Sequence, residues 1–245
     1  MMTTQTVLEH HGVEVPTTVY TPDPGGPHPA VVLAAEAYGV NEFTRQVAYR
    51  LAEQGYVVVV PDYYRGDGLT KPDDYSDFTE VMQFIGELDF TGATNDVLSA
   101  IAYARTLPQV DNERIAVWGY CTGGTLAMLA ASLDRNLSAA VWFFPSQPTF
   151  AELTPAHPVH PVDLLWSITC PVLVIYGDAD PIGPPEFIAD LTNRFERWGI
   201  DHQINIYPGA GHAFSAPVAP LRHDAADAAS WVDALDFLAR RQSIG

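Results

Sequence analysis

The sequence predicts an α/β fold: a mostly parallel central sheet with helices on both faces, opened by an antiparallel hairpin. Three observations lead there. The runs 30–35, 57–60 and 172–176 are apolar without polar alternation, as expected for strands buried on both faces. Stretches with helical spacing separate them, and repeated strand–helix alternation implies a parallel sheet. A short apolar run, 115–118, also leads directly into Gly119-Tyr120-Cys121-Thr122-Gly123 and then a helix-forming stretch.

Taken in order, residues 6–10 and 13–20 flank His11-Gly12 and read as the opening hairpin. Asp23-Pro24-Gly25-Gly26-Pro27 is a turn cluster. After strand 30–35, Asn41 is placed to cap a helix that runs to about Gln54 and ends at Gly55. Pro61 closes strand 57–60. Residues 62–78 are polar and loop-like, and helical patterning returns over 80–88 and 93–105. Beyond the glycine-flanked cysteine come a strand at 139–144 and a proline-rich irregular stretch at 145–169. Strand 172–176, helix 184–198, strand 203–207 and a closing helix 219–240 complete the chain. No repeat or linker divides it, so one domain over 1–245 is expected.

Composition narrows the function. Thirty acidic residues against 12 basic give a net charge of −18. That balance disfavours nucleic acid or an anionic membrane surface as partner. No apolar run approaches the ~18 residues of a membrane span, and the N-terminus has no signal-type apolar stretch. Two cysteines make no disulfide framework, which suits a reducing cytoplasm. Cys170, before Pro171 at a strand start, reads as a small buried residue. No cofactor is implied. His157 and His160, three apart among prolines, are not read as a metal site.

The glycine-flanked cysteine carries the chemistry. Gly-Tyr-Cys-Thr-Gly between strand and helix is the nucleophile-elbow pattern with cysteine in place of serine. A sulfur at a helix N-terminus is favoured as thiolate. Such a nucleophile needs a base, and the base needs an orienting acid. Gly177-Asp178-Ala179-Asp180-Pro181 follows strand 172–176 and offers two aspartates; Asp180 is preferred, with Asp178 able to serve the turn instead. Pro208-Gly209-Ala210-Gly211-His212-Ala213-Phe214 follows strand 203–207 and offers His212 as base. Glu36 follows the first buried strand. The N–H groups of Ala37 and Thr122 are the candidate oxyanion pair. A carboxylate beside that site is odd, because it repels developing negative charge.

These residues resemble the dienelactone hydrolase family of the α/β-hydrolase superfamily. The resemblance rests on residues 36–41 (Glu-Ala-Tyr-Gly-Val-Asn), Gly55-Tyr56, Pro61-Asp62-Tyr63-Tyr64, the cysteine elbow, Gly177-x-x-Asp180 and Ala210-Gly211-His212-Ala213-Phe214. It implies a Cys121–His212–Asp180 triad, with Glu36 holding the resting thiol and helping to deprotonate it when substrate binds. It also implies ester or lactone hydrolysis through an acyl-thioester. Thioesterase or acyl-transfer chemistry on the same triad, or an idle ligand-binding relative, are the alternatives. The family grips a substrate carboxylate with two arginines, one before the elbow and one shortly after the histidine. Here no arginine lies between Arg65 and Arg105, and Ala216 stands four residues after His212. Tyr38, Tyr64, Phe144 and Phe214 are expected around the pocket, which suits an uncharged small-molecule substrate; Arg222 or Arg65 would be the cation if one reached in. Oligomeric state is not readable from the sequence.

Overall fold

A computed structural model describes residues 1–10, 12–23, 25–68, 78–218 and 220–242. Eight strands form one sheet in the order β1-β2-β4-β3-β5-β6-β7-β8. The hairpin strands β1 (Met2–His10) and β2 (Val13–Thr21) pair antiparallel, and β2 joins β4 (Val57–Pro61) antiparallel. All other pairings are parallel: β3 (His28–Ala34) with β4 and β5 (Val110–Tyr120), then β6 (Ala139–Phe143), β7 (Val172–Gly177) and β8 (His202–Tyr207). The sheet is therefore mixed and mostly parallel, and its central strands β4, β6 and β7 are buried along their whole length.

Two tryptophans show why helices cover both faces. Trp118 of β5 pairs with Val141 of β6, whereas Gly119 pairs with Trp142. Side chains alternate along a strand, so Trp118 and Trp142 point to opposite faces. Trp118 meets Trp231 of α6 (Asp224–Gln242) at 5.7 Å, while Trp142 meets Phe195 of α5 (Pro185–Trp198) at 6.0 Å. Helix α1 (Glu42–Glu53) shares the α6 face, since the Arg50 guanidinium lies 3.7 Å over the Trp231 ring. Helices α3 (Phe90–Ala104) and α4 (Thr122–Leu133) pack on each other and on the central strands.

Differences from the expected elements have local causes. Helix α2 (Phe78–Glu87) begins two residues early, and residues 69–77 of the expected loop lie outside the described residues. Helix α3 begins at Phe90 rather than 93; Gly92 sits in its first turn and broke the sequence pattern. The stretch 145–169 contains a 3-10 turn at Pro161–Ser167. Helix α6 begins at Asp224 instead of 219. His223 ends the preceding turn, with its ring Nδ1 accepting from Ala226 N–H at 3.2 Å and its carbonyl from Asp227 N–H at 2.9 Å. Histidine is not a favoured capping residue, so this boundary carried no signal.

Trp142 is fully buried between sheet and α5. Trp142→Ala is expected to lower the free energy of unfolding by about 3–5 kcal/mol, as other large aromatic truncations do. Urea titration followed by circular dichroism measures it, and a loss below about 1 kcal/mol would contradict this packing.

Candidate active site

The thiol is placed by crowding. Cys121 lies between β5 and α4 at φ 51, ψ −116, a conformation L-residues rarely adopt. Its neighbours leave no alternative. A Cβ on Gly119 would lie 1.9 Å from the carbonyl oxygen of Gly123, and one on Gly123 would lie 2.2 Å from those of Ala34 and Ala35. Strand, turn and helix therefore meet backbone to backbone, and the glycines of the motif are steric requirements. Cys121 N–H donates to Phe143 C=O at 2.9 Å, and Cys121 C=O accepts from Thr125 N–H at 3.1 Å and Ser146 N–H at 3.2 Å.

Three loops at the carboxyl ends of parallel strands then converge. His212 Nε2 is 3.2 Å from Cys121 Sγ, and His212 Nδ1 is 2.9 Å from Asp180 Oδ2. Asp180 is 3% exposed, and its other oxygen accepts from Ile182 N–H at 2.8 Å. Asp178 faces away and is exposed; it accepts from Gly209 N–H at 2.6 Å and so closes the turn that carries His212. Among the described residues four non-glycine residues have positive φ. Three of them, Cys121, Phe144 and Ala213, line this cavity.

Electrostatics favour a charged pair. Burial pushes the Cys121 thiol up, but the charge and hydrogen bond of His212, helped by the Thr122 N–H, bring it below its ordinary value. Burial pushes His212 down, yet the Cys121 thiolate and the Asp180 hydrogen bond carry it well above the usual imidazole range. The two directions agree on thiolate beside imidazolium. Cys170 shows the contrast: it is 4% exposed, and burial without a cation pushes its thiol up to about 12.

Glu36 sits in the wall of the same cavity, 8% exposed. Its carboxyl oxygens accept from Tyr38 N–H at 3.1 Å and Asn41 Nδ2 at 2.6 Å. Asn41 also caps α1 by accepting from Thr44 N–H at 3.0 Å, so one side chain anchors helix and glutamate together. Burial raises the Glu36 carboxyl to about 8 against the pull of the Tyr38 N–H, and the nearby Cys121 charge adds to the rise. The sulfur is thus on His212 here, and Glu36 is on Asn41 and Tyr38. A neutral carboxyl also removes the repulsion that a carboxylate beside an oxyanion site would cause.

The cavity has a volume of about 310 Å³ and is overwhelmingly apolar. Ala37, Tyr38 and Phe144 line it. Tyr64 and Phe214 do not. The Tyr64 ring packs between Tyr63 at 4.5 Å and Phe84 at 4.7 Å, and Phe214 is fully buried behind Phe144 at 5.1 Å. The turn at Ala213 (φ 57) sends Phe214 into the core. Thr122 is fully buried with its N–H toward the sulfur. Val81, Met82 and Ile85 of α2 form a wall that the sequence pattern did not reveal, since an apolar helical face reads the same against a core or a cavity. Ser146 and Gln147 were also missed, for no motif marks them.

No arginine or lysine lines the cavity among the described residues. Arg65 Nη2 bonds Asp96 Oδ2 at 2.6 Å, and Arg222 bonds Asp224 at 2.6 Å and Asp227 at 2.9 Å. Lys71 lies outside the described residues. Likewise, no group of His, Cys, Asp and Glu with metal-binding geometry occurs among the described residues. His160 Nδ1 accepts from Phe150 N–H at 3.1 Å, and His157 stacks on Phe150 at 4.6 Å. No helix among the described residues is long and apolar enough to cross a membrane.

The profile of the dienelactone hydrolase family matches residues 15–242. The chain belongs to this family. It is a hydrolase acting on an ester or lactone. A Yersinia pestis protein named "Putative carboxymethylenebutenolidase" is 31% identical over 244 residues, covering 95% of this chain and 86% of that one. A Bradyrhizobium protein named "Probable 2-oxo-3-(5-oxofuran-2-ylidene)propanoate lactonase" is 29% identical, covering 86% and 83%. The crystal structure of a dienelactone hydrolase from Klebsiella pneumoniae, itself titled putative, superposes with a TM-score of 0.86 at 26% identity, covering 98% of each chain. The chain, with its mixed, mostly parallel eight-stranded sheet, thus has the α/β-hydrolase fold.

Two outcomes are expected. Iodoacetamide should alkylate Cys121 at neutral pH and spare Cys170, as read by peptide mapping. In His212→Gln the Cys121 rate should fall and its pH profile move upward; preferential labelling of Cys170 would contradict the electrostatics described. For Glu36, the sign follows from its raised value. The carboxyl is neutral below about pH 8 and charged above it, so kcat/KM should decline as pH rises through that value. Glu36→Gln should remove the decline, and an identical pH profile in the two proteins would place its cause elsewhere.

Proposed function

We propose that this dienelactone hydrolase family member cleaves small uncharged lactones or esters through a Cys121 acyl-thioester. The observation that carries the reading is the aligned chain Cys121 Sγ, His212, Asp180, at 3.2 Å and 2.9 Å. His212 holds the thiol proton, and the thiolate attacks the carbonyl carbon. The N–H groups of Ala37 and Thr122 hold the resulting oxyanion. The intermediate collapses with cleavage of the C–O bond, and His212 gives its proton to the leaving alkoxide. In a lactone that alkoxide stays tethered to the acyl group. His212 then takes a proton from water, which attacks the thioester; the acid leaves and the thiolate returns. Asp180 holds the imidazole in the tautomer this sequence needs. The thiol requires a reducing compartment, in keeping with a cytoplasmic enzyme.

Charge supports the uncharged class. The Bradyrhizobium relative is named as the lactonase of a propanoate, hence of a carboxylate. Here the cavity wall offers a carboxylate no arginine or lysine among the described residues, Arg65 and Arg222 are already paired, and His212 is shared between Cys121 and Asp180. Burying an unpaired carboxylate costs several kcal/mol.

Stopped-flow hydrolysis of a p-nitrophenyl ester tests the mechanism: a burst of nitrophenol equal to active sites is expected, and none in Cys121→Ala. Unimpaired turnover in Cys121→Ala would end the proposal. Asp180→Asn should lower kcat by about a hundredfold or more, and Asp178→Asn far less; the reverse ranking would reassign the acid. For substrate charge, kcat/KM for a neutral methyl ester of a dienelactone should exceed that for its free carboxylate, and a clear preference for the carboxylate would refute the neutral class.

A further inference from the structure

Beside the thiol, this apolar cavity holds one amide whose side-chain donors no described residue uses. Gln147 follows Ser146, whose N–H is fixed on the Cys121 carbonyl at 3.2 Å. Gln147 N–H donates in turn to Thr125 Oγ1, on the first turn of α4, at 3.0 Å. Its side chain is also held, because Oε1 accepts from the Ser146 hydroxyl. A hydroxyl has one proton, so this bond orients the amide. The two Nε2 hydrogens remain, and no group among the described residues accepts from them. Gln147 is half-buried and lines the cavity together with Cys121 and His212.

Two other polar groups of the cavity wall, Glu36 and His212, are engaged. Both Glu36 oxygens are taken by Tyr38 N–H and Asn41, and His212 is shared between Asp180 and the sulfur. We propose that the Gln147 carboxamide binds a second, uncharged oxygen of the substrate, a carbonyl or ether oxygen distinct from the one at the reacting carbon. The preferred substrates are then neutral esters or lactones whose acyl part is largely hydrocarbon but carries one further oxygen acceptor. This deepens the hydrolase reading above and rests on it.

The physical reason is desolvation. A purely hydrocarbon acyl group that fills the cavity drives water from Nε2 and replaces it with nothing, so the amide loses its hydrogen bonds. An oxygen acceptor in the acyl group restores them. A neutral amide cannot compensate the burial of a carboxylate, so the same residue separates a polar uncharged substrate from an ionic one. Val81, Met82 and Ile85 supply the apolar contact for the remainder.

The test is a ratio measured within each enzyme: kcat/KM for p-nitrophenyl 4-oxopentanoate over that for p-nitrophenyl pentanoate, repeated with the 5-oxohexanoate and hexanoate pair. A ratio does not depend on the folded fraction of a variant. In Gln147→Met, and in Gln147→Glu where a donor becomes an acceptor, the ratio for at least one pair should fall about tenfold or more, the worth of a hydrogen bond to an amide that the bound substrate desolvates. An unchanged ratio for both pairs in both variants overturns the assignment. The nucleophile is judged separately by the burst in Cys121→Ala, so failure of the Gln147 role and failure of the hydrolytic mechanism are distinct results.

Discussion

The site depends on one steric constraint, the backbone contact where β5 turns into α4. The space between Gly119, Gly123 and the end of β3 is too small for any side chain. That crowding drives Cys121 into its unusual conformation, because the strand must reverse into a helix within a single residue. The same reversal puts the sulfur at the head of α4, where the Thr122 N–H reaches it. Strain of order 1–3 kcal/mol at such a residue persists only when the surroundings over-determine it. The bonds from Phe143, Thr125 and Ser146 to the Cys121 backbone provide that determination.

Around this point the fold arranges charge by burial. His212 and Cys121 stabilise one another as ions in a site with little water, and Asp180, 3% exposed, supplies the compensating negative charge behind the ring. Glu36 follows the opposite logic in the same space. It has no cation, so burial keeps its proton on up to about pH 8.

Much of this was legible from turns. Cys121, Asp180 and His212 each follow an apolar strand in a loop whose glycines have a steric task. Gly177 is an example: a Cβ there would lie 1.9 Å from the Ala210 carbonyl oxygen, so glycine at this position is what lets the acid loop and the histidine loop approach so closely. The choice of Asp180 over Asp178 rested on spacing to that glycine, and the structure puts Asp180 against His212 while Asp178 braces the turn at Gly209. What the sequence did not carry was direction. Tyr64 and Phe214 stand next to motif residues yet turn their rings into the protein, and Ser146 and Gln147 acquire significance only when β6 delivers them to the elbow. Helix α2 was visible as a helix, but its role as a cavity wall depends on tertiary placement that periodicity does not encode.

The position of α2 has a bearing on evolution. The reacting groups come from loops at the ends of β3, β5, β7 and β8, while the apolar wall formed by Val81, Met82 and Ile85 belongs to a helix inserted between β4 and α3. Mutations on that helix can reshape the space available to an acyl group without disturbing the elbow, the imidazole or its acid. This part of the wall is therefore structurally separate from the reacting groups, so the room for an acyl chain can change there while the thiol, imidazole and acid stay in place.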